Sequence, residues 1–211
     1  MKLYSYFRSS AAYRVRIALN LKGLPYETVP IHLIKEGGRQ YTAEYRSINP
    51  QARVPALELS SGEVLTQSLA IIEYLDDIHP EPPLLPADAL GRAKCRAIAQ
   101  LIACDIHPLN NTSPLKYLRR ELKHEQPKID AWYHHWIIEG FTALETLLTP
   151  GPYACGAHVT IADICLVPQV ANAHRLKVPL DKFPKIVAVD AACLKLPAFD
   201  KARPEYQPDA E

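Results

Sequence analysis

The feature that most constrains this chain is the run His79-Pro80-Glu81-Pro82-Pro83-Leu84-Leu85-Pro86, which packs four prolines into eight residues. A helix that reaches such a run must stop, because proline lacks the N–H and clashes with the preceding turn. The run is also stiff enough to act as a short linker. It divides the 211 residues into two parts whose patterns differ. Before it, strand-like and helix-like segments alternate; after it, the apolar spacing is helical throughout. The expected fold is an α/β domain over residues 1–79, a proline-rich linker over 80–87 and an all-helical domain over 88–211.

In the first part, residues 2–6 alternate apolar and polar with aromatics, which suits a short strand. Tyr13 to Leu21 carries helical periodicity and Gly23 stops it. Tyr26 to Leu33, rich in Val, Ile and Thr, reads as a second strand, so the opening is a compact βαβ unit with parallel pairing. Residues 54–59 and 63–65 flank the turn Ser61-Gly62 and form a hairpin. Ser68 stands where a helix N-cap belongs, ahead of Leu69 to Leu75. The order β-α-β-(α)-β-β-α is that of a thioredoxin-like domain. In the second part Asp88 caps a helix running to about residue 109, and Pro127 opens one ending near Leu148. Thr160-Ile161-Ala162-Asp163 is a capping box with Asp in place of Glu, at the start of a buried helix over 161–174.

Charge removes several function classes. Residues 1–80 carry 9 basic and 8 acidic side chains and the rest 15 of each, which gives the net +1 of 24 against 23. Neither part has the basic excess that phosphate-backbone binding requires, so nucleic acid and anionic membrane are not expected partners. No apolar run reaches the length of a membrane span, and the first residues lack the apolar core of a secretory signal. Five cysteines without C-x-x-C or zinc spacing read as free thiols in a reducing cytoplasm, and no metal site is expected.

Four features could carry chemistry, each with a plain alternative. Arg8-Ser9-Ser10 lies at a strand-to-helix turn, where free N–H groups and helix polarity favour negative charge and a hydroxyl could donate to a thiolate. The alternative is simple N-capping. Val54-Pro55 enters a predicted strand, either as an edge proline or as a cis bond that presents the Val54 backbone to an extended peptide. Gln67-Ser68 offers an amide, a hydroxyl and helix N–H groups to a carboxylate, or else only caps. His107, Asn111 and Arg175 in the helical part could meet a substrate or lie idle at the surface.

Taken together, Tyr4-Ser5-Tyr6-Phe7-Arg8-Ser9-Ser10, Arg14 to Leu19, Gln67 to Leu75 and Leu166 to Ala173 resemble the zeta class of the glutathione transferase superfamily, which includes maleylacetoacetate isomerases. The resemblance covers nearly the whole chain. It implies glutathione as cofactor, with Ser9 at the thiolate, Ser10 and Arg8 beside it, Val54 and Pro55 at the cysteinyl backbone, and Gln67, Ser68 and Gln51 at the γ-glutamyl end. It implies a small carboxylate substrate met by Arg175 and Arg8, in a pocket lined by His107 and Asn111, and a cytoplasmic homodimer. The implied reaction is isomerisation of maleylacetoacetate by thiolate addition, bond rotation and elimination. Maleylpyruvate isomerisation, conjugation or dehalogenation of small α-halo acids, and a non-catalytic glutathione-fold module are the alternatives. Two positions depart from the pattern: Ala11 replaces the usual cysteine of the class, and Thr112-Ser113-Pro114 lacks the arginine that similar bacterial maleylpyruvate isomerases tend to carry near Ser113.

Overall fold

The computed structural model describes residues 1–211. They form two compact units, Met1–Pro83 together with Leu196–Glu211, and Leu84–Lys195.

The first unit is built on a four-stranded sheet. Strand β1 (Lys2–Ser5) leads through a turn into helix α1 (Ser10–Leu21), and β2 (Glu27–Pro30) returns parallel to β1. The short helix α2 (Ala43–Ile48) precedes the antiparallel strands β3 (Ala56–Glu58) and β4 (Val64–Thr66), and α3 (Ser68–Ile78) completes the unit. The sheet order is β2-β1-β3-β4. This is the thioredoxin-like arrangement expected from the order of elements. Strand β2 is shorter than its Val- and Ile-rich sequence suggests; it ends at Pro30, and a proline cannot donate to a ladder. Gly23 ends α1 with φ +64°, a conformation that glycine adopts without a Cβ penalty. Leu3, Val15, Ile17, Leu19, Leu57, Ile71 and Ile72 fill the core between sheet and helices.

The second unit is helical: α4 (Ala89–Gln100), α5 (His107–Asn110), α6 (Thr112–Arg120), α7 (Gln126–Leu147), α8 (Ile161–Arg175) and α9 (Pro184–Cys193). The single helix expected over 88–109 begins as read, with Asp88 accepting from the Gly91 N–H at 2.8 Å, but it widens into a π-helical segment over Leu101–Ile106. Gly140 on α7 fits against that segment, since a Cβ there would lie 2.3 Å from Ile106 Cδ1. The Thr160–Asp163 capping box is present. Asp163 is fully buried and accepts from the N–H groups of Ala154 at 2.7 Å and Thr160 at 2.8 Å, so it ties the preceding loop to α8.

The sequence reading placed the chain end in the helical domain. Instead, α10 (Pro197–Asp200) and the following residues belong to the first unit. The physical reason lies in α1, whose polar side chains, the buried Arg16 and the half-buried Asn20, find their partners there. Arg16 Nε donates to the Ala202 carbonyl at 3.0 Å and Asn20 Nδ2 to the Ala198 carbonyl at 2.9 Å.

Candidate functional site

Strand register gathers most of the expected cofactor residues. Tyr4 pairs with Ala56 and Ala56 with Thr66, so the outgoing end of β1, the incoming end of β3 and the outgoing end of β4 share one end of the sheet. The segments 6–10, 51–55 and 67–68 all adjoin that end.

In the first segment the Ser9 N–H donates to the Tyr6 carbonyl at 2.9 Å, closing a turn. Ser9 is the N-cap of α1 and its Oγ accepts from the Ala12 N–H at 3.2 Å. Capping uses only an acceptor lone pair, so the hydroxyl proton still has a donor role to fill. The plain reading and the functional one are therefore compatible at this residue. Ser10 is buried as the first helical residue. Arg8 is exposed, with Nη2 donating to the Tyr6 hydroxyl at 2.8 Å and the guanidinium 5.0 Å from the centre of the Phe7 ring.

The second segment is held from below. Tyr45 Oη and Asn49 Nδ2 each donate to the Arg53 carbonyl at 2.7 Å, and Asn49 Oδ1 accepts from the Gln51 N–H at 3.0 Å. The Val54–Pro55 bond is cis and Val54 is buried beside Tyr6 and Phe7. Pro55 precedes β3 and does not lie within it, which corrects the reading that Val54 enters a strand.

At the third segment the N-cap is Gln67, not Ser68. Gln67 takes φ +68° and makes no side-chain cap bond, and Ser68 becomes the first helical residue. The Ser68 hydroxyl is occupied elsewhere, accepting from Arg14 Nη1 at 3.3 Å. Gln67 Nε2 donates to Gln51 Oε1 at 2.8 Å, joining the second and third segments. An uncapped helix start with a buried guanidinium behind it favours an anionic group, and exposed amides beside it suit a peptide-like ligand. Glutathione, with a carboxylate at its γ-glutamyl end and a thiol in the middle, fits this donor set.

Arg14 is only 1% exposed, and its place in the Arg14 to Leu19 motif does not by itself reveal the contact with Ser68. A charged residue among apolar neighbours at helical spacing was the available signal.

In the second unit His107 Nε2 and Asn111 Nδ2 lie 3.4 Å apart, and Asn111 Oδ1 also caps α6 by accepting from the Thr112 N–H at 2.7 Å. Arg175 is the last residue of α8, where the sequence reading had placed it just beyond. Its Nη2 donates to Asn172 Oδ1 at 3.1 Å, and the guanidinium lies beside the buried Tyr133 phenol. Burial pushes the Tyr133 phenol upward and Arg175 offsets part of that shift. Asn110 Nδ2 donates to the Tyr133 carbonyl at 3.1 Å, which ties the 107–111 segment to the residue that Arg175 faces. Asn110 lies inside the 105–111 run that the sequence singles out, whereas Tyr133 carries no sequence signal beyond ordinary core spacing.

The N-terminal domain of glutathione S-transferases matches residues 3–83, and the C-terminal domain of the same family matches residues 137–194. The chain is 46% identical over 209 residues to the maleylacetoacetate isomerase of Pseudomonas aeruginosa, covering 99% of this chain and 98% of that one. Among solved structures it resembles a maleyl pyruvate isomerase described as a bacterial zeta-class glutathione S-transferase, at 48% identity, full coverage of both chains and a TM-score of 0.96. A maleylacetoacetate isomerase from Methylobacterium extorquens AM1, solved with malonate and glutathione bound, is 36% identical with full coverage of both chains and a TM-score of 0.96.

Proposed function

We propose that this chain, which belongs to the glutathione S-transferase family, is a zeta-class, glutathione-dependent cis–trans isomerase that converts maleylacetoacetate to fumarylacetoacetate. The observation that carries the reading is the meeting, at one end of the sheet, of the Ser9 turn and the Gln51–Gln67–Ser68 cluster backed by Arg14. The names of the full-length relatives support the substrate class.

When bound, glutathione supplies a thiolate that makes the double bond temporarily single and leaves again unchanged. The chain's own residues do the rest. Ser9 would donate its hydroxyl proton to the sulfur, and the N-terminus of α1 adds a favourable field for negative charge, with Ser10 and Arg8 beside it. The Val54 backbone, ahead of Pro55, would pair with the cysteinyl unit. Gln67, Ser68 and Gln51 would hold the γ-glutamyl group, with Arg14 fixing the Ser68 hydroxyl. Arg175 would take a substrate carboxylate in its planar fork, Arg8 would meet negative charge developing on the substrate oxygens, and His107 and Asn111 would line the pocket. Holding the reactants in this way converts a bimolecular addition into an effectively unimolecular one.

Maleylpyruvate is the second reading, favoured by the full-length likeness to the zeta-class maleyl pyruvate isomerase. Ser113 weighs against it, because it offers no second cation for the shorter diacid. Measuring kcat/KM for both cis acids decides the matter: a preference for maleylpyruvate overturns the assignment. The reading carries with it a homodimeric enzyme of aromatic amino acid breakdown. Its five free thiols support a reducing compartment such as the cytoplasm.

A further inference from the structure

We infer that Asp209, near the chain end, is a positioning residue for the thiol-activating turn, and that Leu196–Glu211 acts as a strap holding that turn in shape. The inference rests on the isomerase reading for its kinetic consequence, though not for its geometry.

The strap reaches the turn at three points. First, Asp209 Oδ2 accepts from the Phe7 N–H at 3.0 Å. Second, the Phe7 carbonyl accepts from Arg16 Nη2 at 3.1 Å, and Arg16 Nε is spent on the strap carbonyl of Ala202 at 3.0 Å. The remaining terminal nitrogen of Arg16 donates to Ser5 Oγ at 3.2 Å, at the end of β1. Third, Glu211 pairs with His32 at 3.1 Å, and His32 stacks edge-on against Tyr6 with centroids 5.0 Å apart. Tyr6 in turn receives the Arg8 hydrogen bonds.

The Phe7 backbone is therefore held at both its N–H and its C=O, two residues before Ser9. An isolated turn with no such clamp samples many backbone states, and ordering it costs free energy each time the ligand binds. Arg16 is fully buried, and although burial lowers its pKa to about 10 it keeps its charge at neutral pH. Asp209 thus fixes the turn from one side and Arg16 from the other. The strap's contacts are to the Phe7 N–H, Arg16 and His32, which support the turn, so its role is positional.

The test compares wild type, Asp209→Ala and Asp209→Asn, since Asn keeps a carbonyl acceptor for Phe7. Without glutathione, hydrogen exchange is read at the Phe7 and Ser9 amides. With it, kcat and the pH dependence of thiolate absorbance are read. Asp209→Ala should speed Phe7 exchange and lower kcat, each by roughly tenfold, the effect of losing about one hydrogen bond. It should also move thiolate formation to higher pH, and Asp209→Asn should recover most of all three. If Asp209→Ala fails to fold, deletion of residues 209–211, which leaves the Arg16–Ala202 contact in place, carries the same expectations. Unchanged Phe7 exchange with an unchanged thiolate profile overturns the inference, as does an Asn variant no better than Ala. A wild type that does not isomerise its substrate sinks the functional reading instead, and leaves the exchange result standing.

Discussion

Replacing Arg14 by Met should weaken glutathione binding while leaving the protein folded. Arg14 is 1% exposed and spans from α1 to the first residue of α3, where Nη1 donates to Ser68 Oγ at 3.3 Å. A hydrogen bond from a charged donor contributes about 1.5–3 kcal/mol. The 3.3 Å separation is long for such a bond, which puts this one at the lower end, about 1.5 kcal/mol. That corresponds to roughly a tenfold rise in Kd. The variant should fold with a lowered Tm, because a buried hydrogen-bonding side chain is lost while the apolar contacts of its stem are kept. Calorimetric titration with two ligands separates the effect from general damage. Glutathione should lose about tenfold in affinity, whereas cysteinylglycine, which lacks the γ-glutamyl group, should bind as before. Equal losses for both ligands, or none for either, would refute the argument that Arg14 acts through Ser68.

Ser9→Ala should lower kcat at neutral pH by about tenfold to a hundredfold, from the loss of about 1.5–3 kcal/mol of thiolate stabilisation. It should also lower Tm, since its N-cap bond to Ala12 is worth about 1 kcal/mol, and an unchanged pH–rate profile would move the thiolate role to Ser10 or to backbone N–H groups. Arg175→Lys keeps a positive charge at the end of α8 but loses the planar fork. We expect kcat/KM to fall by roughly tenfold with glutathione affinity unchanged, and unaltered kinetics would leave Arg175 only a helix-dipole role worth about 0.3–1 kcal/mol.

Much of the fold was legible because local rules agreed with one another. The proline run marked the change of architecture, and the Thr160–Asp163 box and the Asp88 cap fixed two helix starts. The residues that failed to read correctly did so for identifiable reasons. Ser68 has the right chemistry for an N-cap, but its hydroxyl is engaged by Arg14, a partner 54 residues away that no local rule reveals. The π-helical turn at Leu101–Ile106 packs against Gly140, a tertiary match between two helices that no local rule reveals. The strap was assigned to the wrong unit because helical periodicity states that a segment is amphipathic, not which surface it covers. At the site, hydroxyls and amides at element ends were visible in sequence. Their supports, Arg14, Tyr45, Asn49, Arg16 and Tyr133, were not, because each acts through a contact distant in sequence or specific to a loop.

The central claim is that glutathione works here as a cofactor and is returned at each turnover. The direct measurement follows free thiol by titration while maleylacetoacetate is converted in excess over glutathione. The account predicts complete conversion to fumarylacetoacetate with the thiol concentration constant from start to finish. Thiol loss in proportion to substrate consumed, with a stable thioether as product, would contradict it and make the enzyme a conjugating transferase.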